Sequence, residues 1–413
     1  MQNASSATMT QILGLIAILL VSQANARHIP HEPPSHERGL GPDGHPDDKL
    51  IMVEALWRHG DRSPLFIYPT SLNQEADWPA PLGFLTPLGA EQQNALGKWI
   101  RRRYVEHFKF LPDKFDGEIL KVRSTEVNRT IKSAQANLFG MYGEPTVEYP
   151  IDIVPHDDDY EALPTQSCQR LTDLRALLPL TPEYGLLETS HHELYHKLLH
   201  LTGYPQMDTA KIQSVWDPMY LERLHHREIN PKLDEHFDEI DKIYNDFSKL
   251  TFGYDLDVLN DLDLSLELRR VWGGNLLDRI IREFQNRIEC ESSPNSEKCG
   301  DKVKYYAQSA HEVTLTGLLS TFGLGLMDYD REEPPELAAS IFMELWQNAE
   351  DDSFYLKTIY RRNATQILDI TPKISHCKLQ PNRGCEFHSF VDRSSDFLPE
   401  TDSKTLCNTP VTV

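Results

Sequence analysis

The stretch "KLIMVEALW", residues 49–57, narrows the choice of fold more than any other. It is almost continuously apolar, a pattern that suits a strand buried on both faces and so a sheet covered by helices. It runs straight into "RHGDRSP", residues 58–64, where Gly60 and Pro64 break any helix. "LTPLGAEQQNALGKWIRRRYVEHF", 85–108, reads as an amphipathic helix with Thr86 as N-cap and Pro87 in its first turn. "EILKVRST", 118–125, is a second strand followed by the helix "VNRTIKSAQANLFGMY". "VKYYAQSAHE", 303–312, is a third, followed by "VTLTGLLSTFG". "ASIFMELWQ" and "FYLKTIYRR" pair as a late hairpin around Glu350 to Ser353. Strands alternating with helices at both ends of the chain imply an α/β sheet built from 49–150 and 291–413. The polar stretch between them, 151–290, has helical periodicity and is expected to form a smaller, mostly helical cap lobe.

Composition limits what such a fold serves. A formal net charge of −22 argues against nucleic acid or an anionic membrane surface as partner. It also makes a local cluster of arginines conspicuous. The N-terminus reads as a secretory signal over 1–26, with the apolar run "ILGLIAILLV" and the small-x-small site Ala24 to Ala26. Residues 27–48, rich in Pro, Gly, His and charge, are expected to be flexible. No later run is long enough to span a membrane. Secretion, or delivery to the lysosomal lumen, would suit six cysteines paired as three disulfides, with 15 pairings open. Cys290 and Cys299 flank a polar loop, and Cys377 and Cys385 close a second short one. Asn128 and Asn363 head glycosylation sequons.

In open α/β sheets, ligands bind outside the carboxyl ends of the strands. Three strand ends here carry unusual polar residues: Arg58, His59 and Arg62; Arg123; and His311 with Glu312. Three arginines and two histidines facing one point repel unless an anion joins them. A phosphate dianion suits guanidinium forks. A histidine beside cations stays neutral and nucleophilic, so His59 is the candidate to attack phosphorus. Glu312 is the carboxylate placed to protonate a leaving alkoxide.

These residues carry a resemblance. "RHGDRSP" matches in full the Arg-His-Gly-x-Arg-x-Pro signature of the histidine acid phosphatases. "LTPLGAEQQNALGKWIRRRY", "VRSTEVNRT", "SAHE", "VWGGNLL" and "IYRRNATQ" are similar to further segments of the prostatic and lysosomal branch of that family. The resemblance runs from about residue 50 to the C-terminus. It implies a doubly wound mixed sheet with helices on both faces and a helical cap. It further implies hydrolysis of phosphate monoesters at acid pH through a phosphohistidine, with no metal or cofactor. Carried over residue by residue, the nucleophile falls on His59, the phosphate ligands on Arg58, Arg62, Arg123 and His311, and the proton donor on Glu312. The last departs from the family, which usually has aspartate there. The resemblance also implies a Cys168–Cys407 bridge and a possible homodimer.

Two other functions compete. "HELYH" matches the zinc-protease pattern through His192, Glu193 and His196, which one helix face could present to a metal. The substitution at Glu312 also fits a catalytically impaired secreted binding protein on a phosphatase scaffold. The loop "FIYPTSLNQEADWPAPLGF" is expected to shape the entrance, with Trp78 and Phe84 lining it.

Overall fold

The computed structural model describes residues 39–293 and 302–411. The expected leader and Cys299 lie outside the described residues. Eight strands form one sheet in the order β3-β2-β4-β1-β5-β6-β7, with β8 (Cys385–Glu386) on β6. β1 (Lys49–Arg58) sits centrally, parallel to β4 (Tyr305–Ala310) and antiparallel to β5 (Ser340–Gln347). β2 (Leu120–Thr125) runs parallel to β4 and to β3 (Asp152–Val154). β5 and β6 (Phe354–Arg361) make the expected hairpin, and β7 (Ile367–Asp369) follows antiparallel. The sheet is therefore mixed.

The apolar run of β1 is buried along nearly its whole length because both faces are covered. Its alternate residues divide between two cores, as the period of a strand requires. Val53, Ala55 and Trp57, with Phe342 and Trp346 of β5, pack on Leu96, Trp99, Ala134 and Leu138. The latter four belong to α1 (Pro87–Ile100) and α2 (Asn128–Tyr142). On the other face Leu56, Ile341, Met343 and Leu345 pack on Leu277, Ile280 and Ile281 of the helix Asn275–Ser292 and on Leu315 and Leu318 of the helix Glu312–Thr321. Truncating a ring as enclosed as Trp57 or Phe342 to Ala would cost about 3–5 kcal/mol.

α1 begins as its sequence predicts. Pro87 occupies the first turn, and the Thr86 hydroxyl accepts from the Gly89 amide. The helix then runs on as a wider π-helical stretch, Arg101–His107. α1 and α2 cross so closely that a side chain on Gly97 would overlap the Asn137 carbonyl, and one on Gly140 the Asn94 carbonyl. Residues 39–48 are strapped to the sheet: Arg103 donates to the carbonyls of Leu40 and Pro42, Lys357 to that of Asp43, and Arg383 and Tyr355 to the Asp48 carboxylate.

A third apolar cluster joins helices between residues 164 and 272, with Leu171, Leu198, Val215, Met219, Ile240 and Leu264 at its centre. Cys168 is bridged to Cys407 and Cys377 to Cys385; Cys290 is also disulfide-bonded. Among the described residues no helix is long and apolar enough to cross a membrane. On the helix His192–Thr202, Leu194, Tyr195 and Leu198 face the core, while His192, Glu193 and His196 are exposed. No group of three or more candidate ligands for a metal ion occurs among the described residues. Asn128 opens α2 half-buried, and the Asn363 amide donates to Glu336.

Candidate active site

The carboxyl end of β1 is pinned on both sides. The His59 amide donates to the Ala310 carbonyl at 2.9 Å, and the His59 carbonyl accepts from Ala338 at 3.1 Å. Gly60 then lies so close to Gly89, in the first turn of α1, that a Cβ at either would overlap the other segment's backbone. Only glycine fits such an approach. The chain next pairs Arg62 with Leu85 and turns away at Pro64. His311 and Glu312 follow β4 directly, with His311 capping the helix that Glu312 begins. Parallel strands β1 and β4 thus deliver Arg58, His59, Arg62, His311 and Glu312 to one place, at the point where the sheet changes direction.

His59 is 1% exposed. Its Nδ1 lies 2.8 Å from the Gly60 carbonyl, which can only accept, so Nδ1 carries the hydrogen and Nε2 keeps a lone pair. Among the described residues Nε2 has no hydrogen-bond partner, and the Glu312 carboxylate lies 3.8 Å away. Burial holds the His59 pKa well below 6.5, and Arg129, Arg58, His311 and Arg62 push it the same way. His311 packs edge-on to His59 with ring centroids 5.6 Å apart. Arg129 donates to its Nδ1 at 3.3 Å, so Nε2 is the protonated nitrogen and donates to Thr125 at 2.9 Å. Burial, then Arg129, hold this histidine neutral as well.

Four of the five phosphate ligands and catalytic groups named on β1 and β4 are joined by contacts: Glu312 meets Arg58 at 3.2 Å and His59 at 3.8 Å, and His311 meets His59. Arg62 belongs with them electrostatically, since it acts on His59, His311 and Glu312. Arg123 does not join them. Its guanidinium is turned to the buried carboxylate of Asp159, at 2.8 Å, which neutralises it. The third arginine at the histidines is Arg129, in the first turn of α2. "VRSTEVNRT" offers two arginines, and choosing the one on the strand overlooked that the helix following a strand also points its first turn at the ligand edge.

A second residue escaped the sequence. Asp217, on the helix Gln213–Leu224, grips both nitrogens of the Arg62 fork at 2.6 and 3.3 Å and accepts from the Leu65 amide at 2.7 Å. No local pattern connects it to Arg62, 155 residues away. Trp78, expected to line an entrance, is instead buried, edge-to-face with His225 and beneath the Arg227 guanidinium. Phe84 is exposed.

The charges fit an anion. Arg58, Arg62 and Arg129 supply three positive charges, and Asp217 and Glu312 return two. Burial first, then Arg62, lower the Arg129 pKa to about 10 against the opposing pull of Glu312 and Asp217, so this guanidinium is short of counter-charge. Burial alone would raise the Glu312 pKa, but Arg58, Arg62 and His311 outweigh it and hold it at about 2. What the site offers is a neutral imidazole with its lone pair free, ringed by forked donors.

The histidine phosphatase superfamily (branch 2) model matches residues 49–361. The chain is 30% identical to putative acid phosphatase 10 of Caenorhabditis elegans over 400 residues, covering 87% of this chain and 94% of the relative. It is 30% identical to bovine prostatic acid phosphatase over 330 residues, covering 77% and 78%. With lysosomal acid phosphatase of Xenopus laevis the identity is 28%, covering 85% and 74%. Among solved structures it resembles the apo form of Hafnia alvei phytase, with a TM-score of 0.62 at 13% identity, covering 89% of this chain and all of that one; this likeness speaks for the fold. The mixed sheet, the signature at the end of its central strand and the family match over most of the chain place it in branch 2 of the histidine phosphatase superfamily.

Proposed function

We propose that this acid phosphatase hydrolyses phosphate monoesters by two displacements on His59. The observation that carries the reading is the neutral His59 whose Nε2 is free of hydrogen bonds beside Arg58, Arg62 and Arg129. In the first step Nε2 attacks phosphorus, the P–O bond to the alcohol breaks, and the leaving oxygen takes a proton from Glu312. Arg58, Arg62 and Arg129 hold the three non-bridging oxygens, where charge must be balanced as the phosphoryl group moves, and His311 joins them once its Nε2–H turns from Thr125 to the phosphate. In the second, water attacks the phosphohistidine, Glu312 removes its proton, and inorganic phosphate leaves.

Without substrate Glu312 is ionised, because its carboxylate pairs with Arg58. A phosphate dianion spread over the same arginines offsets their pull, so substrate binding itself raises the Glu312 pKa and lets it take up the proton it will donate. Its carboxylate reaches the nucleophile, so the longer side chain gives no support to an impaired site. The exposed His192, Glu193 and His196 belong to no group of candidate metal ligands among the described residues and do not favour the protease alternative.

The N-terminal sequence, the paired cysteines, and relatives named prostatic and lysosomal acid phosphatase support export to the cell exterior or the lysosomal lumen. The test of function is product partitioning at acid pH. With an alcohol present as a second acceptor, esters with different leaving groups should give one common ratio of transferred to free phosphate. Ratios that vary with the leaving group would show that no shared phosphoenzyme forms.

A further inference from the structure

The segment after the nucleophile is gripped by one helix at three levels. Asp217 of the helix Gln213–Leu224 holds Arg62 and the Leu65 amide. One and a half turns on, Glu222 accepts from the Tyr68 hydroxyl at 3.1 Å, the Ser71 hydroxyl at 2.9 Å and the Asn73 amide at 2.9 Å. His225, directly after the helix, donates from Nε2 to the Asp61 carboxylate at about 3 Å. That carboxylate also accepts from Thr86, the N-cap of α1, and Asp61 stands between His59 and Arg62. Glu222 is 1% exposed and Asp61 is fully buried.

The chemistry of Glu222 is unusual for a structural carboxylate. It is buried with three neutral donors and makes no ion pair among the described residues. Burial raises its pKa, and the bonds from Asn73, Ser71 and Tyr68 oppose that rise. Burying such a charge is unfavourable unless its donors stay in place. The donors all come from the loop that follows the signature, which also meets the helical region through Thr70 with Thr202 and Leu201, Asn73 with the Glu228 carbonyl, and the Asp77 carbonyl with Arg227.

Resting on the phosphatase reading above, we infer that Glu222 and His225 are positioning residues for phosphate binding. Together with Asp217 they make the helix and residues 61–73 one body, so that Arg62 meets the phosphate already aligned. Neither residue touches the reacting atoms. Their loss therefore raises KM and leaves kcat in place, because His59 and Glu312 keep their own supports on β1 and β4.

The experiment uses the full chain with p-nitrophenyl phosphate. Glu222→Ala and His225→Phe remove the bonds; the phenylalanine keeps the packing on Trp78. Each should raise KM about tenfold, the effect of losing roughly one charge-assisted hydrogen bond, with kcat within about twofold. Glu222→Gln keeps an acceptor for Asn73 and Ser71, and His225→Gln keeps a donor for Asp61, so both should stay near the wild-type KM. Asn73→Ala breaks the same clamp from the loop side and should reproduce Glu222→Ala, which covers the case in which the helix variant does not fold. An unchanged KM in Asn73→Ala, a fall in kcat at constant KM, or conservative variants as impaired as the truncations would overturn the inference. A wild type inactive on phosphate esters would fail the phosphatase reading instead. Amide exchange then decides the clamp alone: faster exchange over residues 66–73 in Asn73→Ala supports it, and unchanged exchange overturns it.

Discussion

Replacing Arg129 with methionine should weaken catalysis while making the substrate-free protein no less stable. The side chain donates to His311 at 3.3 Å and faces the same site as Arg62 and Arg58. Its pKa of about 10, against an ordinary 12.5, means the fold disfavours its charge by up to about 3 kcal/mol, less what solvent screens. A buried methionine carries no such penalty. In the complex the balance reverses, because a guanidinium–phosphate bond contributes about 1.5–3 kcal/mol. Arg129→Met should thus lower kcat/KM for p-nitrophenyl phosphate by roughly 10- to 150-fold. Chemical denaturation without phosphate should place its midpoint at or above that of the wild type. Arg123→Met should behave oppositely. It strands the Asp159 carboxylate in the interior, at a cost of about 3–5 kcal/mol, and the molecules that remain folded should keep kcat/KM near wild type. If Arg123→Met abolishes turnover in a stable protein while Arg129→Met leaves kcat/KM unchanged, the assignment of the third arginine is wrong.

Three further outcomes follow from the same geometry. Glu312→Gln should cripple alkyl phosphates and spare activated aryl phosphates, whose leaving groups need little protonation; equal losses on both would remove Glu312 from the donor role. Glu312→Asp, shorter by about 1.5 Å, should lose activity if the loop has adapted to glutamate, and a kcat at or above wild type would show that it has not. His59 and His311 both titrate below the ordinary 6.5 in the folded state, so unfolding takes up protons between the two values. Their contribution to stability is complete above pH 6.5 and is lost as the pH falls through the folded values; urea midpoints in His59→Phe should show a shallower fall over that acid range, and an unchanged slope would argue against it. Replacing Cys168 and Cys407 together with alanine should cost about 5.5 kcal/mol in the chain-entropy model, read from urea midpoints, since the bridge closes a loop of 239 residues. A loss under about 1 kcal/mol would mean that the unfolded chain is not constrained by the bridge.

Much of this architecture is written in local pattern. The apolar run of β1 announced a strand covered on both faces, and Thr86-Pro87 announced the start of α1, because burial and capping act within a few residues. The hairpin of β5 and β6 was legible for the same reason. The signature itself marks the site, since the density of arginine around His59 has no structural explanation without an anion. Contacts across the fold were not legible. Arg123 and Arg129 are alike as letters, and only the position of Asp159 shows which of them is already neutralised. Asp217, Glu222 and His225 reach the signature loop from a helix about 150 residues downstream, whose own periodicity reports its core face and not its polar partners. Trp78 looked like an entrance aromatic because its loop is polar, yet the ring is enclosed by His225 and Arg227.

The account stands on His59 as the atom that carries phosphate. Rapid acid-free quenching of the enzyme during turnover of a radiolabelled aryl phosphate, followed by alkaline digestion-resistant peptide mapping, tests it directly. Label that is stable to alkali, lost in acid, and confined to the peptide containing "RHGDRSP" is the expected result, and it should vanish in His59→Ala. Label on His311, on a carboxylate or on a hydroxyl, or label persisting in His59→Ala, would contradict the account.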